Sequence, residues 1–149
     1  MLSFEEFCNE NNIKQDTLSN YDIINYAKQL NIKHFRGCFM RDTLPKKIRT
    51  TENGVVNLEP EREQGSHWCC YFKKGTYKVY FDPYGLDPTN EMLKYLKPSD
   101  RSSPVLISTF NIQKPNTNVC GSLCLYVLYY LSVNEDFLTI LLLLNKYDK

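Results

Sequence analysis

Residues 119–132, VCGSLCLYVLYYLS, carry no charged side chain and no broad polar face. A helix formed there has no side to offer to water, so the rest of the chain must be built around it. It begins abruptly, because the preceding QKPNTN at 113–118 is polar and turn-prone, and Cys120 and Gly121 sit at the join. The next apolar run, FLTILLLL at 137–144, has eight residues and is set apart by NED at 134–136. A bilayer needs about 20, so this run reads as a second core helix and no membrane association is expected.

At 149 residues the chain suits one domain, 1–149, able to bury roughly 70% of the surface its unfolded form exposes. No repeat, low-complexity linker or composition shift divides it. Eighteen basic against seventeen acidic residues leave a formal charge of +1, so no global field draws the chain to nucleic acid or to an anionic membrane. The short basic pieces, Lys46, Lys47 and Arg49 and then Lys73 and Lys74, read as solvated surface. MLSFEEFCNE at the start has acidic residues where a secretory signal needs basic and apolar ones. A reducing compartment is therefore expected, with Cys8, Cys38, Cys69, Cys70, Cys120 and Cys124 as thiols.

Helices are expected at Phe4 and Phe7 and over 21–30, where Ile24, Tyr26, Ala27 and Leu30 have helical spacing behind a cap at Ser19 or Asn20. ENGVVNLE at 52–59 reads as an Asn-Gly turn ahead of a short strand, TNEMLKYLK at 89–97 as a helix and PVLISTF at 104–110 as a strand. The strongest hairpin signal is GSHWCCYF at 65–72 followed by TYKVYFD at 76–82. Trp68, Cys70 and Phe72 would share an apolar face with Tyr77, Val79 and Phe81. A two-residue turn at Lys74 and Gly75 pairs Lys73 with Thr76 and sets His67 across from Asp82, with Cβ atoms roughly 5 Å apart. A turn shifted by one residue moves Asp82 two places along the same face.

An imidazole beside a carboxylate is an oriented general base: the carboxylate holds one ring nitrogen's proton and the other nitrogen accepts one. Cys120 supplies a nucleophile. Asn116, Thr117 and Asn118 are suitable caps for a helix beginning near Val119, leaving the thiol in the first turn, where backbone N–H groups and the helix dipole favour the thiolate. Gly121, without a Cβ, would let a substrate backbone approach the sulfur. The Cys120 N–H and the Gln113 side-chain amide are candidate oxyanion donors for acyl transfer. A zinc site built from Cys120 and Cys124 with His34 or His67 is the competing use of these residues. Against it, Cys69 and Cys70 point to opposite faces of a strand and no paired CxxC exists, so Cys69, Cys70 and Cys124 read as core thiols. Tyr126, Tyr129 and Tyr130 read as packing, and DPYG at 82–85 as a tight turn whose functional content is Asp82.

The order SHW (66–68), FDPYG (81–85), Gln113 and NVCG (118–121), preceded by FRGCFMRDTLP at 35–45, resembles the adenovirus-type processing cysteine proteases, or adenains. Their relatives in virus-like DNA transposons and, more distantly, the SUMO-specific proteases share it. The resemblance implies an α+β fold in which a small mixed sheet packs against helices and a central buried helix carries the nucleophile. It implies Cys120 as nucleophile, His67 as base, Asp82 as orienter, Gln113 as oxyanion donor and Trp68 packing near the imidazole. Adenain has Glu at the orienting position; Asp is found in the SUMO-protease branch. The adenain cofactor peptide attaches through a cysteine between the acidic residue and the Gln, and 83–112 contain none; near-neutral charge likewise argues against a DNA activator. The expected enzyme is a monomeric cysteine endopeptidase, with no metal or cofactor, cleaving precursor proteins of a virus or virus-like element at small, Gly-containing sites. It would reside in the virion and infected cell. The alternatives are a ubiquitin- or SUMO-like isopeptidase of the same fold and a non-catalytic binding module.

Overall fold

The computed structural model describes residues 1–58, 67–113 and 117–147. Gly65, Ser66 and Asn116, assigned above to a strand start, a motif and a cap, lie outside the described residues, as does Glu59. The elements run α1 (Phe4–Asn11), α2 (Asn20–Gln29), β1 (Phe35–Met40), β2 (Thr51–Asn57), β3 (Trp68–Lys74), β4 (Tyr77–Phe81), α3 (Asn90–Leu96), β5 (Leu106–Ile107), α4 (Cys120–Ser132) and α5 (Phe137–Tyr147). The strands form one mixed sheet in order β1-β2-β3-β4-β5, parallel at both edges and antiparallel between β2 and β4. This is the expected α+β architecture.

Local chemistry sets the element boundaries. Ser3 with Glu6 and Ser19 with Asp22 close reciprocal capping boxes on α1 and α2, and Thr89 caps α3. The buried stripe of α2 is Ile23, Ala27 and Leu30, while Ile24, expected inside, is exposed. Asn53 and Gly54 do not form a turn. They lie within β2, and a Cβ at Gly54 would come within 2.9 Å of the Tyr71 ring. That glycine serves the close approach of a neighbouring strand's side chain.

The α4 helix is the hub. Eleven of its thirteen residues are buried; its apolar side chains join Cys70, Phe72, Val79 and Phe81 of the sheet with buried residues of α1, α2 and α5. Each large apolar side chain buried there stabilises the fold by about 1.5–3 kcal/mol. The opposite sheet face is covered as well: Val56, Cys69, Tyr71 and Tyr80 pack on Met92 and Leu96 of α3. No helix among the described residues is long and apolar enough to cross a membrane.

Candidate active site

The β3–β4 hairpin turns one residue later than the first of the two registers above. Lys74 pairs with Tyr77 and Cys70 with Phe81, so Gly75 and Thr76 form the turn. Gly75 has φ +60°, and a two-residue turn with glycine first needs a positive φ only there. Placing Lys74 at the first position would instead impose that strain on a side chain. In consequence Tyr84, not Asp82, continues in line with His67. The two rings stack with centroids 4.7 Å apart and planes at 26°.

Asp82 still reaches the imidazole. Its Oδ1 lies 2.9 Å from His67 Nε2 and accepts the Tyr84 backbone N–H at 2.8 Å. The carboxylate is fully buried and the imidazole nearly so, which strengthens the pair by excluding water. With Nε2 engaged, Nδ1 is the nitrogen available to Cys120. DPYG therefore does more than supply Asp82. The Pro83 carbonyl accepts the N–H groups of Ile112 and Gln113 at 2.8 and 2.9 Å, and Gly85 (φ +75°) approaches the Phe110 carbonyl so closely that a Cβ would lie 2.8 Å from it. One tight turn thus holds the carboxylate, the ring stacked on the imidazole and the segment leading to Gln113. The sequence signal that could have revealed Tyr84 was the Gly-Thr turn, which sets the register.

Cys120 is the first residue of α4, and its thiol accepts the Trp68 backbone N–H at 3.4 Å. Val119 is the cap residue and no side chain caps the helix. Neither Thr117 nor Asn118 takes the expected role, and in the uncapped first turn the Gly121 N–H favours the sulfur anion. Burial opposes ionisation of Cys120, but the hydrogen bond and charge of His67, with the N–H groups of Trp68 and Gly121, hold its pKa below the ordinary thiol value. At His67 burial disfavours the charged ring; hydrogen bonds and charge from Asp82 and Cys120 outweigh it and raise the pKa to about 9. Both shifts run toward a thiolate beside an imidazolium and away from the neutral pair.

The supporting residues act differently from expectation. Gly121 does not open the sulfur to a substrate backbone: the space a Cβ would take is filled by Leu18, with three atoms at 3.1–3.3 Å. Trp68 anchors through its indole N–H to the Leu18 carbonyl at 3.0 Å, while Tyr84 provides the ring stacked on the imidazole. Gln113 is buried, and its Nε2 donates to the Thr117 carbonyl at 2.7 Å; an amide nitrogen has a second hydrogen for another acceptor. His67, Trp68, Tyr84, Gln113 and Cys120 line one cleft of about 1040 Å³, with Thr17–Asn20 and Cys38–Met40 on its walls.

Cys69, Cys70 and Cys124 are buried thiols, donating to the carbonyls of Val56, Cys124 and Trp68 respectively. All six cysteines are unbridged, and among the described residues no group of three or more His, Cys, Asp or Glu is placed to hold a metal ion. His34 is exposed in the turn before β1.

No protein-family model matches the chain, and no curated protein matches it significantly. Solved structures do. The crystal structure of the ASFV pS273R protease superposes with a TM-score of 0.59 at 13% identity, covering 91% of this chain and 67% of that one. Its selenomethionine form gives a TM-score of 0.57 at 14% identity with the same coverage. At such identities the likeness is one of fold, and the fold is one that a viral protease uses.

Proposed function

We infer that the chain is a cysteine peptidase that cleaves protein substrates. The observation carrying this reading is the line from Asp82 through His67 to Cys120: a buried carboxylate behind an imidazole that faces one cleft together with a thiol of lowered pKa at a helix N-terminus. The fold shared with a viral protease supports it.

In this reading the Cys120 thiolate attacks a peptide carbonyl, forming the sulfur–carbon bond and moving the carbonyl π pair onto oxygen. The first-turn N–H groups of α4 and the second N–H of Gln113 receive that oxyanion. Collapse expels the amine, which takes its proton from the His67 imidazolium and leaves a thioester. Water then attacks the thioester with neutral His67 accepting its proton, and Cys120 leaves as thiolate. Asp82 keeps Nε2 protonated throughout, so Nδ1 is always the shuttling nitrogen.

The substrates that fit the sequence resemblance are precursor proteins of a virus or virus-like element, cut at small, Gly-containing sites during particle assembly in the infected cell. Co-expression of the chain with its own structural precursors, beside Cys120→Ala, tests this: cleavage with the natural chain and none with the variant is expected. Rapid turnover of a ubiquitin- or SUMO-based substrate with no precursor cleavage would favour isopeptidase activity. Failure of a thiol-reactive peptide probe to label Cys120 would remove the catalytic reading.

A further inference from the structure

The peptide group between Leu18 and Ser19 ties the wall of the cleft to the reacting sulfur. Its carbonyl accepts the Trp68 indole N–H at 3.0 Å, and the Trp68 backbone N–H in turn reaches the Cys120 thiol at 3.4 Å. Its N–H donates to Asp22 Oδ2 at 2.9 Å, one half of the α2 capping box. Asp22 is therefore linked to the Trp68 side chain through a single peptide group, and it lines the cleft that holds His67 and Cys120.

The cap and the helix dipole account for an acidic residue in the first turn of α2. They do not account for its place in the cleft wall, where Asp22 is the one carboxylate among the described residues and no Lys or Arg is among them. The side chain is 35% exposed, and Lys14, outside the described cleft wall, puts its Nζ 3.4 Å from Oδ2. Both contacts fall on Oδ2, and a carboxylate has about four acceptor sites, so a second cation can be received from the cleft. Hydrogen bonds from Ser19, its backbone N–H foremost, and the charge of Lys14 hold the carboxyl below its ordinary pKa. Leu18, Phe39, Met40 and Trp68 share the wall and offer apolar surface to the methylene stem of a long basic side chain.

We propose that Asp22 is a specificity-determining residue, and that the cleft takes a substrate lysine or arginine whose cation rests on the Asp22 carboxylate. Leu18 packs on Gly121, the neighbour of the reacting cysteine, so the basic residue lies about two to four extended residues from the scissile bond. This names a substrate class for the peptidase reading above and rests on it.

The test uses quenched fluorogenic peptides with a central Gly-Gly, in which each flanking position in turn carries lysine, norleucine or glutamate. At one position lysine should exceed norleucine, and norleucine glutamate, by about two- to fivefold in kcat/KM. Norleucine keeps the stem and lacks the charge, so the ratio reads the cation alone. Asp22→Asn, which retains an acceptor for the Ser19 N–H, should bring the lysine and norleucine peptides to the same rate. Lys14→Met removes the competing ammonium and should widen the ratio, and 1 M salt should narrow it. The same peptides bound to the Cys120→Ala protein, followed by fluorescence anisotropy, read the preference without turnover. Turnover with equal rates for all three residues at every position, or a lysine preference that survives Asp22→Asn, overturns the role of Asp22 and leaves the peptidase reading. A lysine preference in binding with no turnover by the natural chain removes the peptidase reading and leaves the subsite. Neither turnover nor a binding preference removes both.

Discussion

At the scale of single residues, the paired shifts of Cys120 and His67 make distinct predictions for two reactions of one sulfur. Alkylation needs only the thiolate, so the iodoacetamide rate profile of Cys120 should have its midpoint below that of an ordinary thiol and fall as acid protonates the sulfur. Peptide turnover also needs the imidazolium to protonate the leaving amine, so it should have an additional alkaline limb near pH 9. Measuring both profiles checks this; turnover without the alkaline limb would contradict the ion pair. The sign of the stability effect follows from the same shifts. The His67 contribution is full below its unfolded value of about 6.5 and is lost as pH rises through about 9. The Cys120 contribution is present above the unfolded thiol value of about 8.5 and is lost as pH falls through the lowered one. Above the lowered thiol value and below the unfolded one the two slopes oppose each other, since folding there moves a proton from sulfur to ring. Asp82→Asn removes the charge that sustains the imidazolium. The turnover rate should fall by roughly 10²–10⁴-fold, and the alkaline limb should move to lower pH. Tyr84→Phe should retain the stack on His67, whereas Tyr84→Ala should shift the alkaline limb without abolishing alkylation of Cys120.

At the scale of elements, the site depends on two glycines that allow close approach. Gly121 lets the first turn of α4 lie against Leu18, whose carbonyl also holds the Trp68 indole. Gly121→Ala must push Leu18 away, and overpacking of this kind costs about 1–3 kcal/mol; thermal denaturation should show the loss, with turnover falling because the sulfur moves relative to β3. Gly85→Ala should cost more, since its neighbours are the backbone atoms of Thr109 and Phe110 and its φ is +75°. The turn it closes carries Asp82 and, through the Pro83 carbonyl, the chain entering Gln113. Both consequences are readable together: Gly85→Ala should lower stability and oxyanion-dependent turnover, whereas Thr76→Gly, in the distant hairpin turn, should leave turnover unchanged.

At the scale of the whole molecule, the sheet is tied to α3 by Glu52, a fully buried carboxylate that accepts the Tyr71 and Tyr95 hydroxyls at 2.6 and 2.7 Å, the Arg49 N–H at 2.6 Å and Arg36 at 3.3 Å. Glu52→Ala leaves those donors and the Arg36 cation unpaired and should destabilise the protein by about 3–5 kcal/mol, measured by urea unfolding. Limiting thiol reagent should label Cys120 ahead of Cys8, Cys38, Cys69 and Cys124, because burial raises the pKa of Cys8 and Cys38 to about 12 and holds those of Cys69 and Cys124 well above the ordinary thiol value. Much of this architecture was legible in the chain. An apolar helix without a polar face had to lie at the centre, a cap at Ser19 marked the start of α2, and period-two alternation identified the inner face of β3 and β4. Cys120, His67, Asp82 and Gln113 could be singled out together because each residue type, in its local context, would suit one step of the acyl transfer proposed above. Other features required the third dimension. The hairpin register turned on the backbone conformation of Gly75, which brought Tyr84 to the imidazole. Gly121 became a packing residue only when Leu18 arrived from over a hundred positions away, and Asn53 and Gly54 were absorbed into β2 by the ring of Tyr71. Period and cap are properties of neighbours along a chain and so are set by sequence alone. Register, close approach and the electrostatics of a shared cleft belong to segments that meet only on folding, and there the tertiary structure decided.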